Sequence, residues 1–161
     1  MVTALRKFAG TGPPEPILKQ FTYDQLNRIT GMSTYTGSDI VASNAWTNAS
    51  SDGAYSTAYS YDGNGNLDTL IRQGKSGLLN MDHLIYHYEK EAGTGKLLSN
   101  RLYHVKDDAG ATSGYDDDLE ILTNAPGSNL STTGNYGYDA IGNLIRDDAE
   151  GIQDIEWDVY G

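Results

Sequence analysis

The chain has 161 residues, a formal net charge of −11, no cysteine, nineteen glycines and twelve tyrosines; it fits one domain, 1–161, with a usable core. The absence of cysteine excludes disulfide frameworks and thiolate chemistry, and the acidic surface repels phosphate backbones, so nucleic acid is not an expected partner. The charge is uneven: residues 1–106 carry ten Lys and Arg against nine acids, residues 107–161 Arg146 alone against thirteen.

Residues 1–20 contain "GTGPPEP" and read as an irregular entry segment. "MVTALRKFAG" lacks the apolar centre of a secretory signal, and no run is long and apolar enough to cross a bilayer as a helix. Next comes "FTYDQLNRITG", in which Tyr23 and Asp24 precede a turn at Asn27-Arg28. Residues of about 33–58, rich in Ser, Thr, Asn and Ala, read as a long surface insertion with Trp46 tucked into a groove.

"YSYDGNGNLDTLIRQG" repeats the pattern with Tyr59, Tyr61, Asp62, Gly65 and Asn66. A worn copy, "YHYEKEAGTGKLLSN", holds Tyr86 and Tyr88, with Glu89 in the place of the aspartate. "LLNMDHLIYHYEKE" has both helical and alternating character; the repeat alignment and flanking turn residues favour a strand. "NRLYHV" reads as a further strand. A second insertion, first acidic and then Ser/Thr-rich, covers about 107–135. "YGYDAIGNLIRDDAEG" follows with Tyr136, Tyr138, Asp139, Gly142 and Asn143, and "IQDIEWDVYG" alternates Ile155, Trp157 and Val159 on one face of an expected strand.

The recurring unit has a physical reading. Aromatics two apart project from one face of a strand. An aspartate suits the first turn position, where its carboxylate accepts amides just beyond it. Gly-Asn then takes positive φ at little cost, and aliphatic residues begin the return strand. Each copy reads as a β-hairpin. Aligned on the second aromatic, the copies fall at Tyr23, Tyr61, Tyr88 and Tyr138, spaced 38, 27 and 50 residues apart.

Sites that could carry chemistry are few. Asp62, Asn64, Asn66 and Asp68 alternate as at the start of a calcium loop, but Leu67 stands where an EF-hand needs glycine and Gln73 where it needs glutamate. The position of Asn64 is Leu26 and Ile141 in other copies, which a turn tolerates and a ligand set does not. His83 and His87 on a strand stand about 13 Å apart, too far to share one ion. No nucleophile elbow, phosphate loop or distinguishable carboxylate pair occurs. No cofactor is expected. Asn48 and Asn129 sit in N-glycosylation acceptor triplets, and Thr69 in "DTL" resembles a bacterial O-glycosylation acceptor.

The motifs "YSYDGNGNL" and "YGYDAIGNLIRD…GIQDIEWDVYG" resemble the tyrosine-aspartate (YD) repeats of bacterial Rhs proteins and of the related teneurin and toxin-complex shells. The resemblance implies an all-β fold: a twisted or spiralling antiparallel sheet of consecutive hairpins, in an extracellular or cell-surface protein. It implies a non-enzymatic scaffold of a shell, stalk or head-to-tail fibre, with a calcium- or glycan-binding module, or an internal segment of a toxin-encapsulating shell, as alternatives. The tyrosines, the turn residues and Trp157 correspond to structural positions. The Asp-Pro dipeptide of shell autocleavage and a toxin domain do not occur in this sequence. Self-association end to end, or continuation in a longer chain, is the expected partnership.

Overall fold

The computed structural model describes residues 17–37, 49–109 and 134–158, and the backbone of 2–4. All regular elements among them are strands: β1 (Val2–Ala4), β2 (Ile17–Tyr23), β3 (Ile29–Thr36), β4 (Thr57–Tyr61), β5 (Leu67–Gln73), β6 (Asn80–Lys90), β7 (Leu97–Asp107), β8 (Tyr136–Tyr138) and β9 (Leu144–Asp147). β1 to β7 form one open antiparallel sheet in chain order, and β8 and β9 form a two-stranded ribbon. No described helix is long and apolar enough to cross a membrane.

Consecutive order follows from the short turns. Tyr23 and Ile29, Tyr61 and Leu67, and Tyr138 and Leu144 are paired across five-residue connections, too short for anything but an antiparallel return. The ambiguous stretch before Tyr86 is strand throughout β6. Its near-helical apolar spacing is overridden by pairing on both sides, with β5 and with β7.

Three expectations need correction. The entry segment is not irregular throughout: Ile17–Gln20 belong to β2, and Val2–Ala4 pair with Ile17–Lys19. The first insertion is shorter, because Ser33–Thr36 complete β3 and Thr57 opens β4; Trp46 lies outside the described residues. The expected strand Ile155–Tyr160 does not form a ladder over its described part. The Asp147–Ile152 bridge, one amide bond, Ile155 N–H to the Ile145 carbonyl (3.0 Å), and the Trp157 indole N–H to the Leu144 carbonyl (2.6 Å) tie the tail to β9. Alternation alone supplies a face, and a strand also needs a partner along its length.

The core is thin. Leu18, Ala54, Leu84 and Val105 are the buried apolar residues among those described, and they share the interior with the polar Thr34, Asp82, His104 and Asn135. Cohesion therefore rests heavily on cross-strand contacts. Asp82 is one such case: 5 % exposed, it receives Nε and Nη2 of its cross-strand partner Arg72 at 2.6 and 2.9 Å.

Candidate functional site

The recurring residues build two linked features, a set of aspartate turns and a series of aromatic side chains that join one hairpin to the next. In the first turn, Asp24 Oδ1 accepts the amides of Leu26 (2.8 Å) and Arg28 (2.9 Å), while Oδ2 takes Arg28 Nε (2.6 Å). In the second, Asp62 Oδ1 accepts Asn64 and Asn66 amides, both at 2.9 Å, and Oδ2 takes Asn66 Nδ2 at 2.8 Å. Asp139 repeats this with the amides of Ile141, Gly142 and Asn143 and with Asn143 Nδ2. The backbone agrees, since in each turn the aspartate N–H donates to the carbonyl four residues on.

These bonds decide the state of the carboxylates. Arg28's backbone amide, then its side chain, hold Asp24 below the usual carboxylate range against some desolvation. Desolvation raises Asp62 and Asp139, and the turn donors outweigh it in both, led by Asn66 and Asn143. Stabilisation of the charged form by such N–H donors is ordinary. The Asp62 oxygens thus face inward on their own turn. Asn64 and Asn66 point their amides at Asn100 Oδ1 (3.4 and 2.9 Å), and Asp68 is exposed on β5. Among the described residues no group of three or more His, Cys, Asp or Glu stands close enough to hold a metal ion.

The worn copy differs in its turn. Glu89 lies inside β6 and is exposed, so it does not take the aspartate's place. The turn lies further on, where Glu91 N–H donates to the Lys96 carbonyl (2.7 Å) and Thr94 Oγ1 to the Glu91 carboxylate (2.6 Å). The strands run on past Tyr88 to the Lys90–Leu97 pair across a second irregularity, and the bulge before the tyrosine is kept. In all four hairpins the register slips by one residue immediately before the second tyrosine: at Thr22/Tyr23, Ser60/Tyr61, His87/Tyr88 and Gly137/Tyr138. That bulge re-aims the tyrosine.

Its aim is the preceding hairpin. Tyr61 Oη donates to the Ile29 carbonyl (2.8 Å), Tyr88 Oη to Leu67 (2.9 Å) and Tyr138 Oη to Leu102 (2.9 Å). Each acceptor is the residue paired with its own hairpin's tyrosine: Ile29 with Tyr23, Leu67 with Tyr61, Leu102 with Tyr88. Trp157 continues the series, its indole N–H reaching the carbonyl of Leu144, the partner of Tyr138, at 2.6 Å. Trp157 thus occupies the position of a fifth aromatic.

The residue before two of the acceptors, Ile29 and Leu102, adds to the joint. Arg28 lies over the Tyr61 ring at 4.6 Å and Arg101 over the Tyr138 ring at 5.7 Å, within cation–π reach. Neither arginine stands out in the sequence, because the partner ring lies more than thirty residues away. Asn135 is equally silent, being one polar residue before a tyrosine. It is buried, donates its backbone N–H to the Tyr103 carbonyl (2.9 Å), gives Nδ2 to Asp147 (2.9 Å) and accepts the Ala149 amide (2.6 Å). It fastens the β8–β9 ribbon to β7.

Tyr61 and Tyr138 are half-buried, as are Tyr59, Tyr86, Tyr88 and Tyr136. A single sheet covers only one side of a ring, and the hydroxyl needs its carbonyl. Desolvation pushes Tyr86, Tyr88, Tyr136 and Tyr138 above the usual phenol value. Thr69 sits mid-strand with its hydroxyl 2.6 Å from that of its cross-strand partner Ser60, a poor presentation for glycosylation. Asn48 and Asn129 lie outside the described residues. Compared with protein-family models, curated proteins and solved structures, the chain has no match.

Proposed function

We propose that this chain is a non-enzymatic structural repeat scaffold of the YD type, acting outside the cell or at its surface as part of a shell, stalk or fibre. The observation that carries the reading is the aromatic-to-carbonyl bond made four times, by Tyr61, Tyr88, Tyr138 and Trp157. Three of the bonds join a hairpin to the one before it through the recurring tyrosine, and Trp157 makes the same bond from the tail. The recurring aspartates are likewise spent on their own turns. When repeated residues all serve neighbour contacts, stability is close to a sum of units and their interfaces, which is a property of scaffolds.

Three measurements test it together. Calorimetric titration with calcium and a glycan array are expected to show no binding, and Tyr→Phe changes at the joints are expected to lower stability. Specific binding of either ligand at low concentration, with joint substitutions neutral, would replace the scaffold by a binding module.

A further inference from the structure

Two open edges of opposite kind occur among the described residues, one on the seven-stranded sheet and one beside the β8–β9 ribbon. At one end β1 pairs with β2 along one side, and its other side has no strand among the described residues. At the other end the tail, Ile152–Asp158, is tied to β9 by the Asp147–Ile152 bridge and by the Ile155 amide, with no described strand beyond it. The tail runs antiparallel to β9, in the sense of the outgoing strands β2, β4, β6 and β8. Its Trp157 makes the joint that the second tyrosine makes elsewhere. The tail therefore stands in the place of an outgoing strand, with no described return strand. β1 is the converse: it lies antiparallel to β2, as β3 lies to β4 and β5 to β6, and is thus a return strand with no described outgoing strand.

We propose that the tail of one copy and β1 of a second copy complete each other as one intermolecular hairpin, joining copies head to tail. This rests on the scaffold reading above and names its partner. Direction agrees, because copies stacked in one orientation place the tail antiparallel to β1. Charge agrees as well. Residues 147–158 carry Asp147, Asp148, Glu150, Asp154, Glu156 and Asp158 with no Lys or Arg, while residues 1–23 carry Arg6, Lys7 and Lys19 against Glu15. Segments of opposite charge attract in such an encounter. Exposure fits too, since Trp157 is 49 % exposed and Tyr23, whose hydroxyl no described residue accepts, is 60 % exposed. Every other second tyrosine of the hairpins is half-buried. An unpaired edge is a template for another strand, and a head-to-tail contact between identical copies grows rings or open filaments.

The test uses the purified 161-residue chain. Sedimentation velocity across concentration is expected to show mass rising several-fold above the 17.5 kDa monomer, and falling back as salt screens the charges. The Ile155 amide is turned to β9, so alternation turns the Glu156 amide to the open edge; Glu156→Pro removes that donor and is expected to leave monomers with an unchanged unfolding midpoint. Because the chain has no cysteine, a mixture of Thr3→Cys and Glu156→Cys copies supplies a second readout: under mild oxidation the mixed disulfide is expected to outnumber either self-pair. A wild-type chain that stays monomeric at every concentration overturns the junction, as does association that survives Glu156→Pro or a random disulfide distribution. A monomer that still loses stability on Tyr→Phe at its joints leaves the scaffold reading standing, with those edges covered by neighbouring units of a longer chain.

Discussion

The hydroxyl of Tyr61 donates to the carbonyl of Ile29 at 2.8 Å, and Ile29 is the residue that pairs with Tyr23 in the preceding hairpin. One aromatic therefore reports on the position of another, 38 residues earlier. Removing that hydroxyl leaves a half-buried carbonyl without its partner. Tyr61→Phe, Tyr88→Phe and Tyr138→Phe are each expected to cost about 1–2 kcal/mol in chemical unfolding. Tyr23→Phe, at an exposed ring with no described acceptor, is expected to cost close to nothing. Equal losses at all four positions would show that the joints carry no special stability. Truncation goes further: Tyr61→Ala removes ring packing and the Arg28 contact as well, and is expected to cost on the order of 3 kcal/mol.

The aspartate turns predict a low-pH transition. Asp24, Asp62 and Asp139 all titrate below their ordinary value in the folded chain. The unfolded chain then binds protons first, so these groups stabilise the fold above the unfolded carboxylate value of about 3.9. The contribution is lost as pH falls from there through the folded values. The unfolding midpoint is expected to drop below about pH 4, and less steeply in Asp62→Asn. A midpoint flat down to pH 2, followed by circular dichroism, would contradict the role given to these carboxylates.

How much of this was legible in the sequence follows from the range of each interaction. The turns were legible, because Asp24, Asp62 and Asp139 bond residues two to four positions on, and that spacing is written in the chain. The strand character of β6 was legible from alternation and flanking turn residues. The joints were not, since Arg28 meets Tyr61 and Arg101 meets Tyr138 over separations that no local pattern records. Trp157 shows the same limit. Alternation placed it on a strand that does not form, and only the Leu144 carbonyl shows that it stands in for a tyrosine. Glu89 shows the opposite error, where a plausible alignment placed a turn residue that the longer β6 carries past the bend.

A second, milder acid effect is expected from histidine. His104, 4 % exposed, faces its cross-strand partner His87 with ring centroids 6.0 Å apart. Burial, and then His87, hold His104 below the usual histidine range; burial, Lys90 and Lys106 hold His87 below it, against the pull of Asp68. Both side chains resist protonation in the fold more than in the unfolded chain. Stability is thus complete above the unfolded value of about 6.5 and declines as pH falls through it towards the folded values. The unfolding midpoint is expected to begin falling near pH 6.5, well before the carboxylate phase. His104→Phe should remove most of that first phase; if the phase is unaltered, its origin lies elsewhere.

The pair Arg72 and Asp82 separates a buried charge from an exposed one. Asp82 is buried while the Arg72 side chain keeps 46 % of its surface, so the two substitutions are not equivalent. Arg72→Met leaves a buried carboxylate without its two donors and is expected to cost about 2 kcal/mol, less than a fully enclosed pair because solvent reaches the arginine's place. Replacing both at once, Arg72→Met with Asp82→Leu, is expected to recover most of that loss, since the uncompensated charge is gone. If the double variant is as unstable as the single one, packing and not charge governs the site.

The turns finally predict an asymmetry among three equivalent positions. Asn27, Gly65 and Gly142 each stand three residues after the turn aspartate, with φ of 59°, 89° and 101°. A side chain in this region meets its own carbonyl, at about 1–2 kcal/mol for an ordinary residue, while asparagine is better tolerated than most. Space is not the obstacle, because a Cβ at Gly65 would meet only Arg28 Nη1 at 3.7 Å and one at Gly142 only Arg101, also from 3.7 Å. Gly65→Ala and Gly142→Ala are therefore expected to lose about 1 kcal/mol through the backbone alone. Asn27→Gly should be neutral or slightly stabilising, and Gly142→Asn should fall between. Chemical unfolding of the four variants checks the order, and an alanine tolerated at Gly65 and Gly142 would mean that these turns readily adopt another backbone path.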